Sequence, residues 1–130
     1  MERLFTVEEA NDLLSTLAPM LQSIAETLAL LHREEEIGGP TDARARSNGH
    51  AQARPSTSSA ERVVSLRDRL RRDVGALTDL GVQLKDPSMG LIDFPSLRDG
   101  RVVLLCWRLG EPTVAFWHET DTGYAGRQPL

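Results

Sequence analysis

Apolar residues in this chain change their spacing once, near residue 81, and that change decides the fold class. Before it they recur every three or four positions, and after it every second position. A helical period followed by a strand period separates helices from sheet instead of interleaving them. The reading is α+β: a two-helix antiparallel hairpin packed on a small antiparallel β-meander. At 130 residues the chain suits one domain spanning 1–130, since two halves would each be short of a core.

The helical part is well punctuated. Leu14, Leu17, Leu21, Ile24, Leu28 and Leu31 form a heptad seam of coiled-coil type. Thr6 and Glu9 have capping-box spacing, and Phe5 can staple onto Ala10 across that cap. Pro19 lacks an N–H, and with the seam in phase on both sides it predicts a kink instead of a break. Residues 38–58, with Gly38, Gly39, Pro40, Asn48, Gly49 and Pro55, read as a flexible connector inside a hairpin that covers 6–80. Arg44, Arg46, His50 and Arg54 there could meet an acidic partner, against the blander reading of a solvated linker. A second helix is predicted over 59–80. Ser58 and Glu61 cap it, Val63, Leu66, Leu70, Val74, Leu77 and Leu80 make its apolar stripe, and Gly81 stands at its C-terminal end. Arg67, Arg69, Arg71 and Arg72 alternate with Asp68 and Asp73, the pattern of a solvated face.

The remainder reads as strands over 82–84, 91–94, 102–107 and 113–118, with turns at 86–90, 95–100 and 109–112, and an irregular tail over 119–130. If the last loop is Leu109 to Pro112, Arg108 pairs with Thr113. Val103, Leu105 and Trp107 then share a face with Val114, Phe116 and His118, and Leu104 and Cys106 share the other with Ala115 and Trp117. Both faces are apolar and both need cover. The helices supply one cover, and little is left for the other except the short tail or a second copy of the chain, so a homodimer is expected through the sheet or the helical seam.

Charge and cysteine count narrow the partners. Fifteen basic residues against nineteen acidic ones leave a net charge of −4, which makes nucleic acid an unlikely partner. Arginine supplies all the basic residues except Lys85, a bias that reads as codon usage. Cys106 is the lone cysteine, so neither an intrachain disulfide nor a multi-cysteine metal cage is available. The longest unbroken apolar run, Val102–Trp107, is too short to span a membrane. Glu2, Glu8, Glu9 and Asp12 occupy the place of a signal sequence's apolar region. The expectation is a cytoplasmic protein with no membrane partner.

Chemistry points to the C-terminal end of the sheet. With Pro95 paired to Arg101, Asp93 falls opposite Val103, and Val103 falls opposite His118. Asp93 and His118 would then share a face with roughly 10 Å between backbones. That span is too long for direct contact and suits a bridging water, a divalent metal or a small anion. Glu119, Asp121, Tyr124 and Arg127 follow and could close over that end. His118 could ligate a metal or act as a base, or simply donate to a carbonyl or to Glu119. Trp117-His118-Glu119 lacks the second histidine of a zincin helix. Cys106, in the most apolar strand, faces away from His118 in this register; a loop one residue shorter would put both on one face but about two residues apart along the sheet, and the reading is a buried structural thiol. Glu111 is expected in a turn, binding neighbouring amides, on the order of 20 Å from His118. Arg127 could clamp an anion or pair with Asp121 or Glu119. His32 and Glu36 read as a solvated helix end, and Trp107 and Trp117 as core anchors. Gly38-Gly39 and Gly123-x-x-Gly126 lack the context of a phosphate loop.

Several short stretches together resemble a known family. They are Phe5-Thr6-Val7-Glu8-Glu9-Ala10-Asn11, Leu84-Lys85-Asp86, Gly90-Leu91-Ile92-Asp93-Phe94-Pro95, Leu105-Cys106-Trp107, Gly110-Glu111, Trp117-His118 and Gly123 to Pro129. The chain resembles domain of unknown function 2203, an uncharacterised prokaryotic family. The resemblance covers nearly everything outside the connector and implies no activity, cofactor or partner. Two functional classes follow. The first is a non-enzymatic binding or interaction module, acting as a homodimer and open to a protein partner. The second is a small metal-binding protein or enzyme centred on Asp93, His118, Glu119, Tyr124 and Arg127, with His118 and Asp93 as the metal ligands. The absence of a complete catalytic constellation in the sequence favours the first.

Overall fold

A computed structural model describes residues 2–47 and 58–130, and of 37–47 the backbone only. Two helices, α1 (Val7–Ser47) and α2 (Ser59–Asp79), precede five strands: β1 (Gln83–Asp86), β2 (Leu91–Arg98), β3 (Arg101–Arg108), β4 (Phe116–His118) and β5 (Gln128–Pro129). The strands form one antiparallel sheet in the order β1-β2-β3-β4-β5, the meander expected for α+β.

Both helix starts are capped as the spacing predicts. The Glu9 amide donates to Thr6 Oγ1 (3.0 Å) and the Thr6 amide to Glu9 Oε1 (2.8 Å), while Ser58 and Glu61 make the same reciprocal pair on α2. Each box satisfies amides that a helix start otherwise leaves without partners. Phe5 and Ala10 are both buried in the core. α2 ends at Gly81, whose φ of +90° suits glycine. There the Gly81 amide donates to the Thr78 carbonyl (2.9 Å) and the Val82 amide to that of Leu77 (3.4 Å), a Schellman stop that turns the chain into the sheet. The helices run antiparallel, with Ser23 meeting Asp73 and Glu34 meeting Arg62. The seam points inward: Leu17, Leu21, Ile24 and Leu31 are buried. The mixed face is solvated, with Arg67 paired to Glu35 and Arg71 to Asp68. His32 and Glu36 are exposed, as a solvated helix end requires.

The connector expected from residue 38 does not begin there. α1 continues as helix through Gly38, Gly39 and Pro40 to Ser47, and 48–57 lie outside the described residues. Extending an existing helix needs only one more residue ordered per bond gained, a far smaller cost than nucleation, and Ala43 to Arg46 are good helix formers. The membrane criterion also needs correction. Within Val7–Glu36, α1 is by length and composition apolar enough to cross a membrane, although its longest unbroken apolar run is short. Here its seam residues Leu17, Leu21 and Ile24 join the core.

The strand pairings depart from the expected ones in two places. β2 does not stop before Pro95 but runs to Arg98, and the turn is Asp99-Gly100, with φ of +51° and +80°. Two left-handed residues in a two-residue loop are the type I′ geometry that matches strand twist. Pro95 is tolerated because β2 is an edge there. β1 pairs no farther along β2 than Asp93, and the Pro95 carbonyl accepts instead from the Phe5 amide (2.7 Å). Its missing N–H faces that side and breaks no bond to β3. Arg98 therefore pairs with Arg101, and Asp93 falls opposite Cys106 instead of Val103.

The second departure is between β3 and β4, where His118 lies opposite Leu104, one residue from the expected Val103. The connecting loop is wider than Leu109–Pro112 because it is pinned on both sides. The Trp107 indole donates to the Glu111 carbonyl (3.0 Å), and the Val114 amide donates to Asn11 Oδ1 on α1 (2.8 Å). One residue of slip turns every side chain over. His118 and Phe116 therefore share a face with Leu104 and Cys106, and Trp117 joins Val103, Leu105 and Trp107 against the helices.

The tail is not irregular throughout. Tyr124–Gly126 form a 3-10 turn and Gln128–Pro129 pair with β4. The tail lies on the second face and is one of the two covers expected there, the other being a second subunit. Leu91, Leu104 and Cys106 on that face are buried within the single chain.

Candidate functional site

The corrected register assembles a cluster that the sequence reading had kept apart. Asp93 on β2, Cys106 on β3 and His118 on β4 lie on the tail-covered face, and their ligand-type atoms all fall within 4.8 Å of one another. Asp93 and Cys106 are cross-strand partners, and His118 is diagonal to Cys106 across β3. The short thiol lets the two outer side chains lean over it. They meet directly: His118 Nε2 is 3.0 Å from Asp93 Oδ2, and each side chain is only 2% exposed. The expected gap needing a bridging group is therefore closed by a direct hydrogen bond.

The other ring nitrogen fixes the proton arithmetic. His118 Nδ1 is 2.7 Å from the Glu119 backbone carbonyl, which can only accept, so Nδ1 carries a proton. The Nε2–Oδ2 contact needs a further proton, held either on the ring or on the carboxyl. In both arrangements the pair is neutral overall. Burial pushes the Asp93 carboxyl above the usual carboxylate range, opposed by His118 and Lys85. Burial and the Asp93 charge push the Cys106 thiol up to about 12, against the pull of Arg127. Cys106 is thus a protonated thiol near neutrality. Asp93 Oδ1 is buried and has no hydrogen-bond partner among the described residues. An orphaned carboxylate oxygen beside an imidazole and a thiol is a costly arrangement for packing alone.

The remaining candidates divide. Glu119 contributes its backbone carbonyl, while its carboxylate pairs with Arg101 and is held below the usual range by it. Arg127 pairs with neither Asp121 nor Glu119 but with Glu111, because the β4–β5 pairing sets it on the second face. Its guanidinium lies 3.8 Å from the Phe116 ring centre and 4.7 Å from that of Tyr124, and Nη1 is 3.9 Å from Cys106 Sγ. Glu111 is the turn residue expected, accepting the Arg108 amide (2.8 Å), and through Arg127 it also reaches the cluster. Tyr124 lines a cavity of about 150 Å³ together with Lys85, Leu91, Asp93, Leu104, His118, Thr120 and Gly123. Sequence reasoning missed Cys106 as a neighbour of Asp93 and His118, although Asp99-Gly100 is a strong two-residue hairpin signal. Counting outward from Arg98 opposite Arg101 puts Asp93 opposite Cys106.

The sequence profile of one family, DUF2203, described as an uncharacterized conserved protein, matches residues 3–130. The chain belongs to the DUF2203 family. No curated protein and no solved structure matches it significantly. In this DUF2203 member the matched span contains both the helical hairpin and the whole Asp93–Cys106–His118 cluster.

Proposed function

We propose that this protein binds a divalent transition metal, with zinc the best chemical fit, through Asp93, Cys106 and His118. The observation that carries the reading is the convergence of one oxygen, one sulfur and one nitrogen donor within 4.8 Å. Tetrahedral zinc with bonds of 2.0–2.3 Å needs donors roughly 3.3–3.8 Å apart, within reach of this cluster by small rotamer shifts. A thiolate and an imidazole favour zinc over calcium or magnesium. The His118 Nδ1–H donated to the Glu119 carbonyl is the outer-shell bond that aims Nε2 at a metal. Binding would displace the shared proton and the thiol proton. Three protein donors beside a cavity leave a fourth position for water or a ligand, the pattern of an open site.

The test is native mass spectrometry and calorimetry with zinc on the full chain, comparing Asp93→Asn. An asparagine amide can still donate to Nε2, so the fold is retained while the anionic donor is lost. One zinc per chain is expected for the natural sequence, with affinity at least tenfold weaker in the variant at unchanged thermal stability. A chain that takes up no zinc at micromolar concentration, or a variant that binds equally, overturns the reading.

A second reading, the homodimeric interaction module, draws on the helices. Of the apolar stripe of α2 only Leu77 is buried, while Val64 is 59% exposed and Leu30 on α1 is 40% exposed. Sedimentation of the natural chain beside Val64→Glu tests it. A dimer that the charge dissociates supports it, and a monomer in both removes it.

A further inference from the structure

The cavity beside the cluster has a chemistry of its own. At one end stands Lys85, the single lysine in the chain, on the irregular stretch of β1 between the Leu84 and Asp86 pairings. Among the described residues its ammonium makes no hydrogen bond or ion pair, although its charge acts on Asp93. The adjacent acid is turned to its own loop: Asp86 Oδ1 accepts from the Ser88 hydroxyl (2.7 Å), the Ser88 amide (3.0 Å) and the Met89 amide (3.3 Å). Asp93 and His118 face the same space and are neutral as a hydrogen-bonded pair. The cavity therefore presents one positive charge. Leu91 and Leu104 give it an apolar side, and Thr120, Gly123 and Tyr124 complete the lining. Its volume, about 150 Å³, is that of about five water molecules at liquid density.

From this charge, wall chemistry and size we infer that the cavity binds a short-chain monocarboxylate of two to four carbons, its carboxylate on Lys85 and its alkyl end against Leu91 and Leu104. A single cation matches a monoanion and leaves a dianionic phosphate half-neutralised. The leucine side offers a phosphate oxygen no donor and offers a methyl or ethyl group an apolar surface. The inference stands apart from the metal reading. Zinc held by a carboxylate and a thiolate is also neutral overall, so Lys85 supplies the net positive charge with or without it.

Amide-resolved NMR titration of the full chain with propionate, after chelator treatment, tests the inference without metal. Saturable shifts are expected at Leu91, Leu104 and Gly123, at concentrations up to about 50 mM, the weak range expected of so small a ligand. Lys85→Met, at an exposed position, should weaken binding at least tenfold with the thermal midpoint unchanged. Cys106→Ser, which alters a zinc donor that is not among the residues lining the cavity, should still bind propionate although its zinc affinity falls, so each proposal can fail without the other. Absence of saturable shifts, equal binding by Lys85→Met, or inorganic phosphate binding more tightly than propionate would each overturn it.

Discussion

The two faces of this sheet are built on opposite principles. Toward the helices, Ile92, Phe94, Val103, Leu105, Trp107 and Trp117 join Phe5, Leu17, Leu21, Ile24 and Leu77 in one apolar cluster. Phe94 meets Phe5 edge-to-face, with ring centres 5.3 Å apart. Toward the tail, the same strands bury Asp93, Cys106 and His118 among Leu91 and Leu104. The first face contributes stability through area and close packing. The second buries ionisable groups, which cost free energy unless every one is satisfied, and Asp93 Oδ1 is not. Stability and chemistry are thus segregated to opposite sides of strands a single residue thick. Alternation along a strand makes that segregation available at no cost in chain length.

Substitutions should separate the faces. Phe94→Ala, on the helix side, should cost about 3–5 kcal/mol in denaturant unfolding, since it empties a fully buried ring's volume in the core. It should leave the relative metal affinities of the folded fraction unchanged. His118→Leu on the tail side should cost about 3 kcal/mol by leaving Asp93 buried without its partner. Adding Asp93→Val to His118→Leu should recover most of that loss, because an apolar pair suits the surrounding leucines. A double variant no better than the single would mean that the tail-side face resembles the helix side and is packed for volume alone.

Smaller effects concern the tail. Arg127→Ala removes the pairing to Glu111 and both ring contacts and should cost about 1–2 kcal/mol. It should also expose Cys106 to alkylating reagents that the intact fold excludes, read as modified mass against time. The smallest effect is a pH slope. The Cys106 thiol rises from 9.0 to about 12 on folding, so the folded chain keeps a proton that the unfolded chain loses above pH 9. Stability associated with that proton is full below pH 9 and declines as pH rises toward 12, by about 1 kcal/mol at pH 10. Cys106→Ser should remove that share of the slope. An identical slope in both chains would break the contrast between a dry, thiol-burying face and an ordinary solvated one.

Much of the architecture is legible in the residues themselves. Thr6 with Glu9, Ser58 with Glu61 and Gly81 mark three helix ends through bonds made within a few residues, and local bonds need no tertiary information. The candidate site was half legible. Asp93 and His118 are legible as a pair, but Cys106 is lost twice over: a Leu109–Pro112 loop turns it away from His118, and reading Pro95 as the start of a turn sets Asp93 opposite Val103. That reading follows from what proline does within a paired strand. It fails here because the Phe5 segment, ninety residues upstream in the sequence, lies along the edge that Pro95 faces. Glu119 was named for its carboxylate, yet it is its carbonyl that holds His118. Every residue carries a carbonyl, and nothing in residue type announces which one will be used.

The sequence by itself determined the α+β class, the capped antiparallel hairpin and the meander order, since these follow from periodicity, caps and short turns, all local. Tertiary structure alone decided the β3–β4 register, through Asn11 on the first helix holding the Val114 amide, and with it the face on which His118 stands. It also decided that the chain's own tail covers Cys106. A register is a choice between alternatives one residue apart that differ little in local energy. What separates them is which side chains become buried, and burial is a property of the whole assembled fold.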